Sequence, residues 1–260
     1  MITYECMPNQ QWDGASYDRI SGIQQGWGAE VLARLPLEGE ETVLDAGCGS
    51  GRISEMIAAR VPQGRVIAVD GSASMAQAAS ERLAGLIAAG RAEVQVSDLL
   101  ELELDEPVDA ILSTATFHWI SDHDRLFQRM RAALRPGGRF VAQCGGEGNI
   151  DDLRARAREV LANAPYAERF VGWRNPWNYA AAEVTRGRLL AAGFASAQTW
   201  LTPAPSEPEH PREFLSTVVL GPHVQQLPVD LRERFMDEVM EALGEPVVID
   251  YVRLNIDAVA

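Results

Sequence analysis

The sequence predicts an α/β fold, in which a mostly parallel sheet carries helices on both faces. Strand patterns alternate with helix patterns from residue 42 to residue 144, and a glycine-rich turn follows the first strand pattern. The first three strand patterns each end at an aspartate. Such alternation is typical of parallel sheets, because each return to the same strand direction needs a crossover helix.

Short apolar runs and amphipathic segments define the individual elements of this region. The predicted strands are 42–45, 65–70, 92–98, 108–114 and 139–144. The predicted helices between them are 53–61, 73–89 and 122–134.

The flanking regions follow other patterns. A helix is predicted before the first strand, and after residue 146 come four helical segments, an aromatic loop and a proline-rich stretch. The predicted segments are a helix at 16–35, helices at 150–164 and 180–192, a strand near 194–201, an irregular stretch at 202–211, two helical segments reaching 243, and a closing strand pattern at 247–259. We expect one domain, because 260 residues that are 47% hydrophobic suit one core with an added lobe.

We divide that domain into a core, a cap and a closing strand. The core is 37–146, and the closing strand is 246–259. The N-terminal helix at 16–35 and the region 147–245 are expected to form a cap over the core.

Composition excludes several classes of function. The formal net charge of −14 argues against a nucleic-acid groove and against docking on anionic membranes. All 23 basic residues are arginine, so neither a Schiff-base lysine nor a P-loop lysine is available. The three cysteines lack paired or metal-ligand spacing, and no run approaches about 18 apolar residues. We therefore expect a cytoplasmic monomer or homodimer without a metal site.

The glycine turn Gly47-x-Gly49-x-Gly51 is spaced more tightly than the dinucleotide fingerprint. Asp45 precedes it, and a carboxylate there would repel a pyrophosphate and favour a cation. S-adenosylmethionine is a nucleoside that carries an ammonium and a sulfonium but no phosphate. The turn therefore predicts S-adenosylmethionine as the cofactor.

Two further aspartates fit the same ligand. Asp70 ends the second strand about 20 residues beyond the glycines, the spacing of an acid that accepts from ribose hydroxyls. Asp98 ends the third strand pattern, where it can accept from the adenine amino group. Leu99 and Met75 are expected to pack against the two faces of the adenine ring.

Several of these segments resemble the successive motifs of class I methyltransferases. They are 43–51, 66–72, 96–98 and 134–139, and 117–119 is similar to the branch that contains trans-aconitate methyltransferase, as are 21–27, 175–177 and 250–254 more loosely. The resemblance implies a Rossmann-like sheet of seven strands whose last strand is antiparallel. The cofactor contacts that the resemblance and the loop imply are Tyr17, Gln24, Asp45, Gly47, Cys48, Gly49, Asp70, Gly71, Met75, Ser97, Asp98, Leu99 and Thr114.

Methyl transfer needs proximity and orientation, and it needs a base only when the acceptor atom carries a proton. His118, after the fourth strand, is the best candidate for a catalytic base; packing beside Trp119 is the alternative. Trp119 and the cluster Trp173, Trp177 and Tyr179 either wall an acceptor pocket or seal the cap onto the sheet.

Arg169 or Arg174 is a candidate for binding an acceptor carboxylate. His123 is expected to be solvated at the start of a helix.

The predicted function is methylation of a small molecule, with oxygen of a carboxylate or hydroxyl as the favoured acceptor atom. An NAD(P)-dependent oxidoreductase and a non-methylating S-adenosylmethionine-binding protein are the alternatives.

Overall fold

The computed structural model describes residues 22–260, with side chains from Gly26 onward. Its centre is a seven-stranded sheet in the order β3-β2-β1-β4-β5-β7-β6. The strands are β1 Thr42–Ala46, β2 Arg65–Asp70, β3 Ala92–Val96, β4 Val108–Thr114, β5 Leu134–Gly145, β6 Ser196–Pro203 and β7 Val252–Val259. Strands β1 to β5 pair in parallel, and β7 is antiparallel to both β5 and β6. The predicted mostly parallel sheet with an antiparallel last strand is confirmed.

Helices lie between the strands and in the segments that follow β5 and β6. They are α1 Gly22–Arg34, α2 Arg52–Arg60, α3 Ala73–Arg82, α4 Ala84–Ala88, α5 His123–Ala133, α6 Asp151–Leu161, α7 Ala182–Ala191, α8 Pro211–Phe214, α9 Gly221–Gln226 and α10 Val229–Leu243. Short 3-10 helices span Phe117–Trp119 and Ala167–Phe170, and a π-helix spans Leu215–Val219. None of these described helices is long and apolar enough to cross a membrane.

The two faces of the sheet carry separate cores. Ile111 of β4 packs with Phe127 of α5, whereas its neighbour Leu112 packs with Val31 of α1 and Ile57 of α2. Successive strand side chains point to opposite faces, so one apolar run supplies both layers. The expectation of helices on both faces is therefore confirmed.

Parts of the predicted cap share an apolar core of their own, and we keep the name cap for these segments; α1, α7 and β6, which were also predicted in the cap, instead pack on the sheet or belong to it. The cap core is built from two chain segments, one between β5 and α7 and the other between β6 and β7. Tyr166 of the first segment and Phe235 of the second are both fully buried, with ring centroids 5.7 Å apart in an edge-to-face arrangement. Each segment therefore depends on the other for burial of its apolar side chains.

Several predicted elements differ from the structure. The helix predicted at 73–89 breaks at Leu83, whose side chain is buried in a small cluster with Cys48. The third strand ends at Val96, so Asp98 lies in the turn beyond it. The segment 211–243 contains three α-helices and the π-helix instead of two helical segments.

The closing strand is shorter than predicted, since β7 begins at Val252. Val247, Ile249 and Tyr251 continue the apolar alternation, but their side chains belong to the cap core. A single backbone bridge joins Ile249 to Ser206. Alternation at 247–251 therefore indicates burial against the cap instead of membership of the sheet.

Gly51 requires its lack of a side chain. Its φ is +80°, and an added Cβ would lie 3.0 Å from the Ala79 Cα of α3. Gly137 has a similar φ of +79°, but an added Cβ there would meet no atom within 4 Å. We expect Gly51→Ala to lower the free energy of unfolding by about 2 kcal/mol and Gly137→Ala by about 1 kcal/mol. Urea unfolding of both variants measures the difference, and equal losses would contradict the close approach of α3.

Candidate active site

The glycine loop between β1 and α2 folds back onto the end of β2. Gly47, Gly49 and Gly51 all have positive φ, at 83°, 54° and 80°. The backbone N–H groups of Gly47 and Cys48 both donate to the Val69 carbonyl, at 2.8 and 2.9 Å. These left-handed conformations favour glycine, which explains the spacing of the motif.

The backbone around the glycine loop is open at Gly49 and Gly71 but covered at Gly47. An added Cβ at Gly49 would meet no atom within 4 Å, and one at Gly71 would meet only the Ser97 carbonyl, at 3.9 Å. An added Cβ at Gly47 would instead overlap the side chain of Thr116, whose hydroxyl lies 3.2 Å from the Gly47 carbonyl. Backbone can thus approach a ligand at Gly49 and Gly71, as a bound adenosine requires.

Asp70 joins this loop to the loop after β2. Its Oδ2 accepts from the Gly49 N–H at 2.9 Å, and its Oδ1 accepts from the Ser72 N–H at 2.8 Å. Burial raises the pKa of Asp70, although these two N–H donors oppose the shift. An ionised carboxylate has about four acceptor sites, so two remain for ribose hydroxyls.

Asp45 lies beneath the glycine loop and is only 1% exposed. The Ser54 hydroxyl donates to its Oδ2 at 2.6 Å. Burial raises the pKa of Asp45 to about 7, the Ser54 hydrogen bond offsets part of that shift, and the charge of Asp70 adds to it. The predicted counter-charge for a cation is therefore half-titrated near neutral pH.

Of the residues predicted around the adenine, Asp98 is exposed, whereas Leu99 and Met75 are buried. Asp98 is exposed, and its Oδ1 accepts from the Leu100 N–H at 2.9 Å, which leaves its second oxygen toward solvent. Leu99 is buried in the main core, so only its backbone is available to a ligand. Met75 is 5% exposed at the start of α3, where its N–H lies 3.5 Å from the Ser72 hydroxyl.

Cys48 packs with Ala68, Ala79 and Leu83, while its N–H donates to Val69 of β2 and its carbonyl accepts from the Gly51 N–H. Burial raises the pKa of the Cys48 thiol, which suits a packing role. The Thr114 carbonyl lies 3.0 Å from the Thr116 hydroxyl. Tyr17 lies outside the described residues, and Gln24 belongs to α1 without a described side chain.

His118 is held at the carboxyl end of β4. The Gly145 N–H donates to its Nδ1 at 3.3 Å, so we assign the proton of the neutral ring to Nε2. Burial, followed by the nearby charges of Arg253 and His123, lowers the pKa of His118 to about 3. The ring is therefore a hydrogen-bond donor at Nε2 and a poor base at neutral pH.

Three of the four predicted aromatic residues come together beside His118, whereas Trp173 packs against Phe170 and His223. The His118 ring centroid lies 5.3 Å from that of Trp119 and 5.9 Å from that of Tyr179. Trp177 lies 6.0 Å from Trp119 and stacks on Tyr179 at 5.8 Å. The Asn178 N–H donates to the His118 carbonyl at 2.8 Å, so the aromatic loop is also fastened to the end of β4.

Two arginines that the sequence did not distinguish from the others, Arg154 and Arg253, lie near His118 or its aromatic neighbours. The Arg154 guanidinium lies 5.4 Å above the Tyr179 ring, and the 5% exposed Arg253 lies 4.7 Å from the Trp27 ring centroid. The candidates Arg169 and Arg174 are both exposed. Arg253 belongs to the segment 250–254 that carried part of the resemblance, whereas no local pattern marks Arg154 among 23 arginines.

His123 corrects another prediction, because it is 2% exposed instead of solvated. Its Nε2 lies 2.9 Å from the Phe117 carbonyl, and its ring packs 5.6 Å from that of Phe127. His123 therefore stabilises the turn that presents His118. Thr116, which closes the glycine loop, had no signal in the sequence beyond its position after β4.

Comparisons with known proteins agree with this geometry. A family model described as a methyltransferase domain matches residues 43–138. The trans-aconitate 2-methyltransferase of Variovorax paradoxus is 30% identical over 260 residues, covering 94% of this chain and 93% of that protein. The enzyme of the same name from Paracidovorax citrulli is 32% identical over 241 residues, covering 86% of each.

A solved structure supports the fold. The phosphoethanolamine N-methyltransferase 2 of Haemonchus contortus, in complex with S-adenosyl-L-methionine, superposes with a TM-score of 0.62 at 20% identity. The match covers 95% of this chain and 56% of that one. The predicted Rossmann-like fold of a class I methyltransferase is confirmed.

The buried Asp45 predicts a pH-dependent affinity for the cofactor. A cationic ligand favours the ionised carboxylate, so below pH 7 its binding must also release the Asp45 proton. We expect the affinity for S-adenosylmethionine to rise about tenfold or more between pH 5.5 and pH 7.5, measured by calorimetry.

Two variants isolate Asp45 as the source of that dependence. Asp45→Asn should weaken binding and flatten the pH profile between pH 5.5 and pH 7.5. Ser54→Ala removes the donor that lowers the pKa of Asp45, so its profile should shift to higher pH. An unchanged slope in Asp45→Asn would assign the titration to another group.

Proposed function

Since the chain belongs to the trans-aconitate methyltransferase-like family of class I S-adenosylmethionine-dependent methyltransferases, we propose that it esterifies a small carboxylic acid. One observation carries the proposal. Beside the aromatic cluster, His118 has its Nδ1 occupied by Gly145 and stays neutral, so it offers a donor and no base. A carboxylate is the oxygen nucleophile that needs no base, because it carries no proton at neutral pH.

The residues of the glycine loop fit the cofactor. Backbone at Gly49 and Gly71 faces open space, Asp70 retains acceptor sites for hydroxyls, and Asp45 supplies negative charge beneath the loop. When bound, S-adenosylmethionine supplies a methyl group on a sulfonium whose leaving group is neutral. The oxidoreductase alternative is not favoured, because the loop lacks the dinucleotide spacing and the chain is a methyltransferase by family.

The acceptor carboxylate lies at the carboxyl ends of β4 and β5 in this proposal. The His118 Nε2–H donates to one carboxylate oxygen and so orients the other toward the methyl donor. Arg253, whose charge already acts on His118, makes this end of the sheet attractive to an anion. That local positive charge matters in a chain with a net charge of −14.

We assign to the aromatic loop both of the roles that the sequence left open. Trp177 and Tyr179 form an apolar wall beside His118, and Asn178 fastens that wall to β4 through the His118, Ile120 and Ser121 carbonyls. A fixed wall excludes water from one side of the acceptor and limits its orientation. The cap thus contributes orientation, which is most of what methyl transfer to a carboxylate requires.

Acceptor class is tested by methyl transfer from labelled donor to a matched panel. The panel contains mono-, di- and tricarboxylic acids, trans-aconitate among them, with amines and phenols of similar size as controls. We expect a base-labile methyl ester from the acids and no stable product from the amines or phenols. Transfer to amines or phenols with none to any acid would refute carboxylate methylation.

His118 variants separate a donor from a base. Glutamine places an amide N–H near the position of Nε2, so we expect His118→Gln to keep kcat/KM within about tenfold of the wild type, whereas His118→Ala loses about 100-fold. Because the pKa of His118 is about 3, the pH profile of wild-type activity should show no limb from this residue between pH 5 and pH 8. The profiles of the two variants should have the same shape. The exposed His210→Gln is the control.

The opposite pattern would identify a base. If His118→Gln were as inactive as His118→Ala, and the wild-type activity fell along one limb below pH 6.5 that the variants lack, proton abstraction by His118 would be established.

A further inference from the structure

Two cap residues outside the mechanism above have polar atoms that are buried and unsatisfied. We propose that Arg154 and His223 form a second anion subsite, which holds a non-reacting carboxylate of the acceptor. The inference rests on the proposed function and deepens it, since it makes the acceptor a di- or tricarboxylic acid. It also assigns specificity to the cap instead of the sheet.

His223 is enclosed by rings and lacks a partner for one nitrogen. It lies in α9 and is 6% exposed, with ring centroids 4.6 Å from Trp173, 5.5 Å from Trp177 and 6.1 Å from Phe170. Its Nδ1 is buried without a hydrogen-bond partner among the described residues. Buried polar atoms in native proteins are nearly always paired, so this nitrogen marks the place of a ligand atom.

Arg154 approaches from α6 the ring of Tyr179, which stacks on Trp177. Its guanidinium lies over Tyr179, and one terminal nitrogen pairs with Asp151 at 3.0 Å. Its Nε–H is buried without an acceptor in the part of the chain that the structure describes. The charge of Arg154 contributes to the lowered pKa of His223, which places the two side chains within electrostatic reach of each other.

The chemistry of the pair fits a carboxylate. The Asp151 contact leaves the Nε edge of the Arg154 guanidinium free to donate, and a neutral imidazole donates one further N–H. A buried anion is tolerated only where it is paired and hydrogen-bonded, and here a cation and a neutral donor meet that need. A substrate amine would find no acceptor in this pair and would face the Arg154 charge.

The aromatic wall sets the spacing of the two carboxylates. The Tyr179 ring centroid lies 5.9 Å from that of His118 and 5.4 Å from the Arg154 guanidinium carbon. Trp177 stacks on Tyr179 and reaches His223 at 5.5 Å. The reacting carboxylate at His118 and the second carboxylate at the pair are therefore joined by a short apolar link that lies along these rings.

Steady-state kinetics with matched acceptors tests the subsite. Wild type, Arg154→Gln, His223→Phe and the control Arg158→Gln, an exposed arginine of the same helix, are compared on a tricarboxylic acid and on a monocarboxylic acid with the same carbon skeleton. We expect Arg154→Gln and His223→Phe to raise KM for the tricarboxylic acid about 10- to 100-fold, with kcat changed less than about threefold. KM for the monocarboxylic acid should stay unchanged.

Other outcomes would overturn either the second anion subsite or the proposed function. An equal rise of KM for both acids, or no rise in either variant, would overturn the subsite while carboxylate methylation stands. Activity of the wild type on amines or phenols with none on any acid would overturn the proposed function itself. The affinity for S-adenosylhomocysteine and the thermal midpoint, unchanged in all variants, confirm that the loss is not one of folding or cofactor binding.

Discussion

The hydrogen bonds of the Asp70 carboxylate are the interaction on which the site depends. A loop with three positive φ angles has no regular backbone pairing, so its shape must be set by groups outside it. Asp70 supplies one such group by accepting from Gly49 on one side and Ser72 on the other. Its burial is unfavourable, as its raised pKa shows, and the two N–H donors compensate in part. The same carboxylate thus fixes the cradle and contributes to it.

The central sheet could be predicted from sequence more closely than its edges. The bounds of β2 and β4 match the predicted 65–70 and 108–114, because strands buried on both faces read as sharply bounded apolar runs. The closing strand could not be delimited, since apolar residues at 247–251 alternate in the same way whether they face the sheet or the cap. The break at Leu83 likewise depends on a tertiary contact with Cys48.

The site, like the fold, could be predicted from the sequence only in part. The proximity of Asp45 and Asp70 could be predicted, because the carboxyl ends of parallel strands share one edge. The role proposed for His118 could not be predicted, because the position of its proton depends on the Gly145 N–H. Gly145 lies in β5, 27 residues further along the chain. Cap packing brings Arg154 and His223 to the stacked rings of Tyr179 and Trp177, an arrangement that no local pattern encodes. Arginine is suited to such burial because its guanidinium stacks on aromatic rings, as Arg154 does on Tyr179.

The position of β7 orders the assembly of the molecule during synthesis. Among the strands that the structure describes, β6 pairs only with β7, and β7 follows both of the strands between which it lies, β5 and β6. Until residues 252–259 emerge from the ribosome, β5 and β6 each present an unpaired edge, the condition that chaperones and neighbouring chains recognise. The glycine loop and Asp70 are by then already translated, whereas Arg253 arrives with β7 itself. A nascent chain therefore completes the glycine loop and Asp70 before it completes the edge of the sheet that carries Arg253.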